Sequence, residues 1–263
     1  FMYLSDKDFF SEVYRNQLAK RLLNQRSASD DMERAMIGKL KSRSGTQFTG
    51  KMEGMLTDLA IGQEQSLQFE KFCKDHPDKL GKLSFGVQIL TTGHWPQYKP
   101  YNEIALPTTM LKCMETFKTY YDATTNSNKR KLTWVYSLGN VSIKGSFNNF
   151  KKSYDINVTT VQAAVMLMFN TYFNINTGNP QTDRLLQQGI VSFTYLQETL
   201  NMPEDVLKKV LHSLCFAKFK VLKKVGAAEV NKAMRLEAAG EEEKDSKPVV
   251  KKTDHFQFND AFR

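Results

Sequence analysis

Residues 192–203 read SFTYLQETLNMP, and this stretch carries the clearest fold signal in the chain. Ser192 is a good helix N-cap, so a short helix with an apolar face should follow it. Pro203 suits the start of a second helix. The apolar residues of that helix recur at helical spacing and are Val206, Leu207, Val210, Leu211 and Leu214. With a strand at Val221-Leu222, the order predicts a winged helix-turn-helix.

Upstream of this motif the apolar residues recur with a period of two, as in strands. One alternating run covers residues 83–89, and its apolar members include Phe85, Val87 and Ile89. Two further runs, Lys131–Leu138 and Val141–Phe147, flank Gly139-Asn140, a favourable two-residue hairpin turn. The first of these runs carries Leu132, Trp134 and Tyr136 at alternate positions. With a third strand over Phe150–Val158, a small sheet is predicted.

The first 75 residues repeat apolar side chains at helical spacing. Ser5 and Ser29 are candidate N-caps for the first two helices. Two more helices are predicted, one over Phe48–Leu59 and one over Leu67–Phe72. Short connections between amphipathic helices predict an antiparallel bundle. The predicted fold class is therefore α+β, mostly α: a helical bundle, then a small α/β sheet domain, then a winged helix.

Composition narrows the class of function. The three cysteines are scattered and no Cys/His spacing resembles a zinc site, so we expect no disulfide framework, metal or cofactor. Free thiols fit a reducing compartment, cytoplasm or nucleus. No apolar run approaches the roughly eighteen residues of a membrane span. The net charge of +9 suggests an anionic partner, nucleic acid or an acidic protein tail, or ordinary surface solubilisation.

Motifs for catalysis are missing from the sequence. There is no glycine-rich phosphate loop and no Gly-x-Ser-x-Gly elbow. Asp30-Asp31 is more simply explained by helix capping. A thiol enzyme would require Cys113 or Cys215 to lie exposed beside a histidine, whereas Cys215 falls on the apolar face of a helix. We therefore predict a binding protein that is not an enzyme and has no catalytic residues.

The winged helix allows two kinds of partner. Its second helix carries Lys208 and Lys209, and Lys218, Lys220, Lys223 and Lys224 follow it, as in proteins that place this helix in the major groove. Acidic residues open the helix, however, and it offers no arginine or asparagine for base readout. Winged helices also dock proteins, so both alternatives stay open.

Several separated segments resemble the cullin family. They are Ala19–Leu23 with Ser27–Asp31, Val87–Pro96, Ala105–Pro107, Lys131–Trp134 and Thr160–Leu167. They resemble the family patterns AKRLL with SAS-D, VxxLxxGxWP, the ALP that follows it, KLTW and the start of the first winged helix. They occur in the family's order over nearly the whole chain, with spacing most similar to the cullin-1 type.

The resemblance implies a domain layout. Residues 1–80 would be part of a four-helix bundle, 81–157 an α/β domain, 158–225 winged helix A, and 226–263 a charged linker with a terminal strand. It also implies that the chain is a piece of a longer protein. The N-terminal repeats that hold substrate adaptors and the last winged helix, whose lysine receives a ubiquitin-like modifier, would lie outside it.

The function implied by the resemblance is that of a non-catalytic scaffold in a cullin-RING ubiquitin ligase. A RING-box protein would add a strand to the α/β sheet, and the scaffold would raise the effective concentration of a transiently bound ubiquitin-conjugating enzyme. The residues expected to face the added strand are Phe85, Val87, Ile89, Leu132, Trp134 and Tyr136. Trp134 is equally explained as ordinary core.

The resemblance also implies a basic groove for the acidic tail of the conjugating enzyme. Lys247, Lys251 and Lys252 lie at a suitable place in the chain. Their acidic neighbours Glu241–Glu243 favour the other explanation, a solvated charged linker. The alternative function, from a different class, is a winged-helix protein that binds nucleic acid.

Overall fold

The computed structural model describes residues 5–81, 83–125, 130–147, 152–170, 177–234, 249–259 and 261–262. The chain divides into two units, residues 1–98 with 111–132, and residues 99–110 with 133–263. No helix in the described ranges has a stretch long and apolar enough to cross a bilayer. The fold class predicted from the sequence, α+β and mostly α, is confirmed.

Helices make up the first unit. They are α1 (Lys7–Leu23), α2 (Asp30–Ser44), α3 (Thr46–Asp75), α4 (Pro77–Leu80) and most of α5 (Thr108–Thr124). Ser29 caps α2 as predicted, because its hydroxyl accepts a hydrogen bond from the Asp31 amide at 3.2 Å. The cap predicted for α1 is wrong by one residue. Asp6, and not Ser5, accepts the bond from the Phe9 amide at 2.9 Å.

The helix α3 replaces two predicted helices with one of 30 residues. No proline interrupts it, and a glycine such as Gly62 costs only about 1 kcal/mol relative to alanine, so the helix continues. Its apolar face packs against α1 and α2. The buried residues of this core are Leu18, Ala19, Leu22, Ile37, Met52, Met55, Leu56 and Trp95.

An ion pair joins α1 to α2. Arg21 donates two hydrogen bonds to the Glu33 carboxylate, from Nε at 2.8 Å and from Nη2 at 3.0 Å. The Ser27 hydroxyl donates a further bond to Glu33 at 3.2 Å. The Arg21 hydrogen bond is the main cause that lowers the pKa of Glu33, against the opposing effect of burial.

The second unit begins its regular structure with a two-stranded antiparallel sheet. Its strands β1 (Asn140–Phe147) and β2 (Lys152–Thr159) pair from Asn140 opposite Thr159 to Phe147 opposite Lys152. The hairpin predicted at Gly139-Asn140 is therefore wrong. Gly139 has φ −72°, whereas two-residue hairpin turns need positive φ in the turn. The start of the strand predicted over Phe150–Val158 lies outside the described residues.

The rest of the second unit contains the winged helix. Its elements are α6 (Thr160–Met168), α7 (Pro180–Gln187), β3 (Ile190–Ser192), α8 (Phe193–Leu200), α9 (Glu204–Phe216), β4 (Leu222–Val225), α10 (Ala227–Met234) and β5 (His255–Phe258). The sheet order is β3-β5-β4, and both pairings are antiparallel. Ser192 caps α8 as predicted, accepting from the Tyr195 amide at 3.2 Å. The predicted helix-turn-helix with a strand is confirmed, and β5 is its central strand.

Candidate functional site

Residues 83–90 contain three of the six residues that the sequence analysis predicts to face a strand added by a partner protein. They join no sheet in the described part of the chain, so the strand predicted there is wrong. Over residues 84–89 the side chains nevertheless alternate: the odd-numbered Phe85, Val87 and Ile89 are half-buried, and the even-numbered Ser84, Gly86 and Gln88 are exposed. A period of two reports alternating environments, and it does not by itself supply a neighbouring strand.

The helix α3 provides the inner side of this segment. The Phe69 ring meets the Phe85 ring edge-on, with centroids 6.4 Å apart. The Ser66 hydroxyl donates a hydrogen bond to the Val87 carbonyl at 3.1 Å. The segment is thus held by side chains of a helix.

One carboxylate of α3 fixes the chain that follows. Asp58 accepts hydrogen bonds from the amide and the hydroxyl of Thr91, both at 2.8 Å, and from Nε1 of Trp95 at 2.7 Å. His94 Nδ1 lies 3.6 Å from the same carboxylate. Because the Trp95 side chain is buried, its indole N–H needs this acceptor.

The backbone of segment 83–90 has an open edge. The amide and carbonyl groups of Ser84, Gly86 and Gln88 form no hydrogen bond with another described residue. A Cβ placed on Gly86 would meet no atom within 4 Å. Unpaired backbone groups on an accessible edge are a template for pairing with a strand from another chain.

The other predicted partner residues lie in residues 131–138. The strand predicted there is wrong, since residues 131–135 join no sheet in the described ranges and Tyr136–Leu138 is a 3-10 turn. The amide of Tyr136 donates to the Pro100 carbonyl at 2.9 Å, so the turn is fixed within the second unit. Leu132 and Trp134 are half-buried, as is Tyr136, whose pKa is raised by burial. Leu132 ends the first unit, and Trp134 lies in the second.

Of the three lysines predicted to attract an acidic tail, Lys247 lies outside the described residues. Lys252 pairs with Glu204 through an Nζ to Oε2 distance of 2.7 Å, and Lys208 pairs with the other oxygen of that carboxylate, also at 2.7 Å. Hydrogen bonds from the two lysines, first from Lys208, lower the pKa of Glu204. Lys251 is exposed. The charge of Lys252 is therefore already matched by an acid.

A second basic surface lies at the end of α9 and in the turn to β4. Lys209, Lys218, Lys220 and Lys223 are exposed there, and none of the four forms an ion pair with a described residue. Phe219 lies between two of them with 61% of its surface exposed, and the Lys218 ammonium is 5.3 Å from its ring centroid. This surface could attract an anion.

Two of the three thiols, those of Cys113 and Cys215, are not set up for chemistry. Cys113 and Cys215 are both buried and form no disulfide. Burial is the main cause that raises the pKa of Cys215 to about 12, so its thiolate is scarce at neutral pH. Neither meets the condition of an exposed cysteine beside a histidine. No group of three metal-ligating side chains is found among the residues that the structure describes.

Sequence reasoning missed the residues of α3 that hold residues 87–95. They are small or polar and recur every four residues: Gly54, Asp58, Gly62 and Ser66. That spacing places them on one face of the helix. A four-residue repeat of small and polar positions in an otherwise amphipathic helix was the available signal.

Comparison with known proteins gives two family matches. The model of the cullin alpha+beta domain matches residues 89–262, and that of the cullin alpha solenoid domain matches residues 1–66. The first of these covers more than half of the chain.

Three relatives illustrate the similarity. Cullin-1 of Oryza sativa subsp. japonica is 43% identical over 222 residues, which cover 84% of this chain and 27% of that protein. Cullin-2 of Arabidopsis thaliana is 42% identical over 221 residues, with the same coverage. The putative cullin-like protein 1 of Arabidopsis thaliana is 34% identical over 262 residues, 99% of this chain and 28% of that protein. The chain thus spans little more than a quarter of these relatives.

Proposed function

The chain belongs to the cullin family, and from that premise we propose that it recruits a RING-box protein as part of a non-catalytic ubiquitin-ligase scaffold. The resemblance noted in the sequence is confirmed at the level of the family. The recruitment of a partner is our proposal, because the chain spans only 27% of relatives such as Cullin-1 of rice.

The open edge of segment 83–90 is the observation that carries this proposal. An extended strand from the partner would pair with the exposed backbone groups, which is β-augmentation. The half-buried Phe85, Val87 and Ile89 would supply an apolar face, with α3 behind it. Covering apolar surface contributes roughly 25 cal/mol per Å². Because neither this term nor the main-chain hydrogen bonds involve charged groups, the binding should be only weakly sensitive to salt.

We extend the proposal to Leu132, Trp134 and Tyr136, whose half-buried side chains have surface left to cover. We also propose the domain layout implied by the family, with the bundle over 1–80, the α/β domain over 81–157 and winged helix A over 158–225. Residues 226–263 would add the charged linker and the terminal strand, β5, which lies between β3 and β4 of the winged helix.

Positioning of a ubiquitin-conjugating enzyme is the second step of the proposal. Lys251 and Lys252, with Lys247, would attract its acidic tail and raise the association rate in a salt-dependent way. The tail would have to compete with Glu204 for Lys252, because the Glu204 carboxylate already lies 2.7 Å from the Lys252 ammonium.

Co-expression with a RING-box protein, followed by size-exclusion chromatography at low and high salt, tests the proposal. We expect a one-to-one complex that persists at high salt. Gly86→Pro should prevent it, since proline removes the amide donor from the open edge. Gly86→Ala is the matched control, because it adds a Cβ in open space and keeps the N–H. Absence of a complex, or full binding by Gly86→Pro, would count against the proposal.

A second candidate function is nucleic-acid binding by the winged helix. The observation in its favour is the exposed set Lys209, Lys218, Lys220 and Lys223 around Phe219. Glu204 and Asp205 at the start of α9 would repel phosphates, and Glu204 already neutralises Lys208. Fluorescence anisotropy with duplex DNA between 50 and 200 mM salt, roughly the range over which phosphate contacts weaken steeply, decides the matter. No binding at the lower salt removes this candidate.

A further inference from the structure

The four small or polar residues Gly54, Asp58, Gly62 and Ser66, here called the α3 seam, all meet the chain between Val87 and Trp95. We propose that the α3 seam positions segment 83–90 so that the backbone groups of its even-numbered residues face an incoming strand. This inference rests on the proposed function, and it adds the register of the added strand and the residues that set it.

The two glycines of the seam allow close approach. A Cβ on Gly54 would lie 2.4 Å from Nδ1 of His94, and a Cβ on Gly62 would lie 2.3 Å from Nε2 of Gln88. Both distances are far shorter than van der Waals contact. The side chains of His94 and Gln88 therefore lie directly on the helix backbone at these two turns.

The two polar residues of the seam fix the backbone. Asp58 holds Thr91 and Trp95, and Ser66 holds the Val87 carbonyl. Along α3 from Gly54 to Ser66, the contacted residues run backwards from His94 to Val87. Residues 87–95 thus follow the helix over about three turns in the opposite chain direction, and every seam residue contacts at least one of them.

The Ser66 hydrogen bond sets which edge is open. In an extended strand the N–H and C=O of one residue point to the same side, and those of the next residue point to the other. Since the Val87 carbonyl points toward α3, the even-numbered residues should point away from it. The backbone groups of Ser84, Gly86 and Gln88 bond to no other described residue. The Val87 amide and the backbone of Ile89 form no such bond either, so the direction of the Val87 carbonyl is what distinguishes the two edges.

Amide-resolved hydrogen exchange on the complex with a RING-box protein tests the register. We expect exchange at the Gly86 and Gln88 amides to slow by at least about tenfold on binding, with little change at Val87 and Ile89, because only paired amides gain protection. Protection at the odd-numbered amides, or equal protection at all four, overturns the inference and leaves the proposed function intact. Failure to form a complex removes both.

Variants of the seam test its positioning role. Ser66→Ala should weaken RING-box binding by about three- to tenfold, because one positioned hydrogen bond is lost. Ser66→Thr keeps the hydroxyl and should restore both the affinity and the even-numbered protection pattern. A loss of affinity in Ser66→Ala with the protection pattern unchanged would show that Ser66 does not set the register.

The glycines offer a matched pair. Gly54 and Gly50 lie one turn apart on α3, but a Cβ on Gly50 meets no atom within 4 Å. Gly54→Ala should weaken binding by about tenfold, the loss of one or two positioned contacts, and Gly50→Ala should leave it unchanged. Thermal melting of both variants shows whether each is folded. Equal affinities for the two folded variants would overturn the role of the seam.

Discussion

Two runs of alternating residues in this chain have opposite fates. The strand β5 lies between β3 and β4, with Phe256 opposite both Val191 and Lys224. Segment 83–90 alternates in the same way, yet it joins no sheet in the described residues and is held by α3. The comparison teaches that an alternating sequence specifies two faces. Whether it also forms hydrogen bonds with a neighbouring strand depends on which element the fold places beside it.

The difference separates stability from binding. The hydrogen bonds of β5 are satisfied within its own unit, so the strand contributes to the stability of that unit. Segment 83–90 keeps donors and acceptors in water at Ser84, Gly86 and Gln88. An unpaired backbone edge of this kind costs little while water solvates it, and it would gain hydrogen bonds within a sheet only if a partner strand bound there.

The largest effect should come from the centre of the paired strand. Phe256 is 0% exposed, so Phe256→Ala should lower the free energy of unfolding of the second unit by about 3–5 kcal/mol. Phe219→Ala is the matched control, because that ring is 61% exposed and should change stability by less than about 0.5 kcal/mol. Urea unfolding, monitored by hydrogen exchange in each unit, measures the free energy of unfolding of both variants. A loss of stability in Phe256→Ala no larger than that in Phe219→Ala would contradict the comparison.

The next effect concerns the helix-held chain. Asp58→Ala leaves the buried Trp95 indole N–H and the Thr91 groups without their acceptor, which should cost about 2–3 kcal/mol. Faster exchange should be confined to residues near 91–96. Asp75→Ala, an exposed change on the same helix, serves as control. Unchanged exchange around Trp95 in Asp58→Ala would mean that the carboxylate does not fix this chain.

The sequence predicted those features that depend on neighbouring residues. Ser29 and Ser192 cap helices through residues two or three positions away, and both caps are confirmed. The winged helix followed from the same kind of local signal. Even there, the predicted cap of α1 was Ser5 and the observed cap is Asp6, because two adjacent polar side chains compete for one cap position.

Features set by distant contacts could not be predicted. Trp95 lies 37 residues from Asp58 in the chain, so no local pattern pairs them. The strands predicted at residues 83–89 and 131–138 were wrong for the same reason, because an alternating sequence does not specify which element of the fold lies beside it. Phe85, Val87 and Ile89, predicted to face a partner strand, are half-buried between exposed residues even though no strand pairs with them, and their role stays a prediction.

A smaller effect should appear in acid within the first unit. Arg21 lowers the pKa of Glu33 in the folded state, so the pair stabilises above the unfolded pKa of about 4.3 and is lost as pH falls through the folded pKa. Glu33→Gln should cost about 1 kcal/mol at neutral pH, and the difference from the wild type should shrink below the unfolded pKa. Urea titrations at neutral and strongly acidic pH measure this, and a cost that does not depend on pH would show that the charge is unimportant.

The smallest effect should separate the two alternating runs by pH. Burial is the main cause that lowers the pKa of His255 in β5, only partly offset by its hydrogen bond with Thr253 and by Asp254. The unfolded chain, with a pKa of about 6.5, then binds the proton more readily, so stability of the second unit should fall as pH drops through 6.5 toward the folded pKa. His255→Gln should flatten this dependence, while His76→Gln, an exposed change in the first unit, should not.

Residues 83–90 contain no titratable side chain, so strand binding at the open edge should show no transition in this window. A RING-box affinity that follows the His255 titration would mean that the two runs are coupled after all.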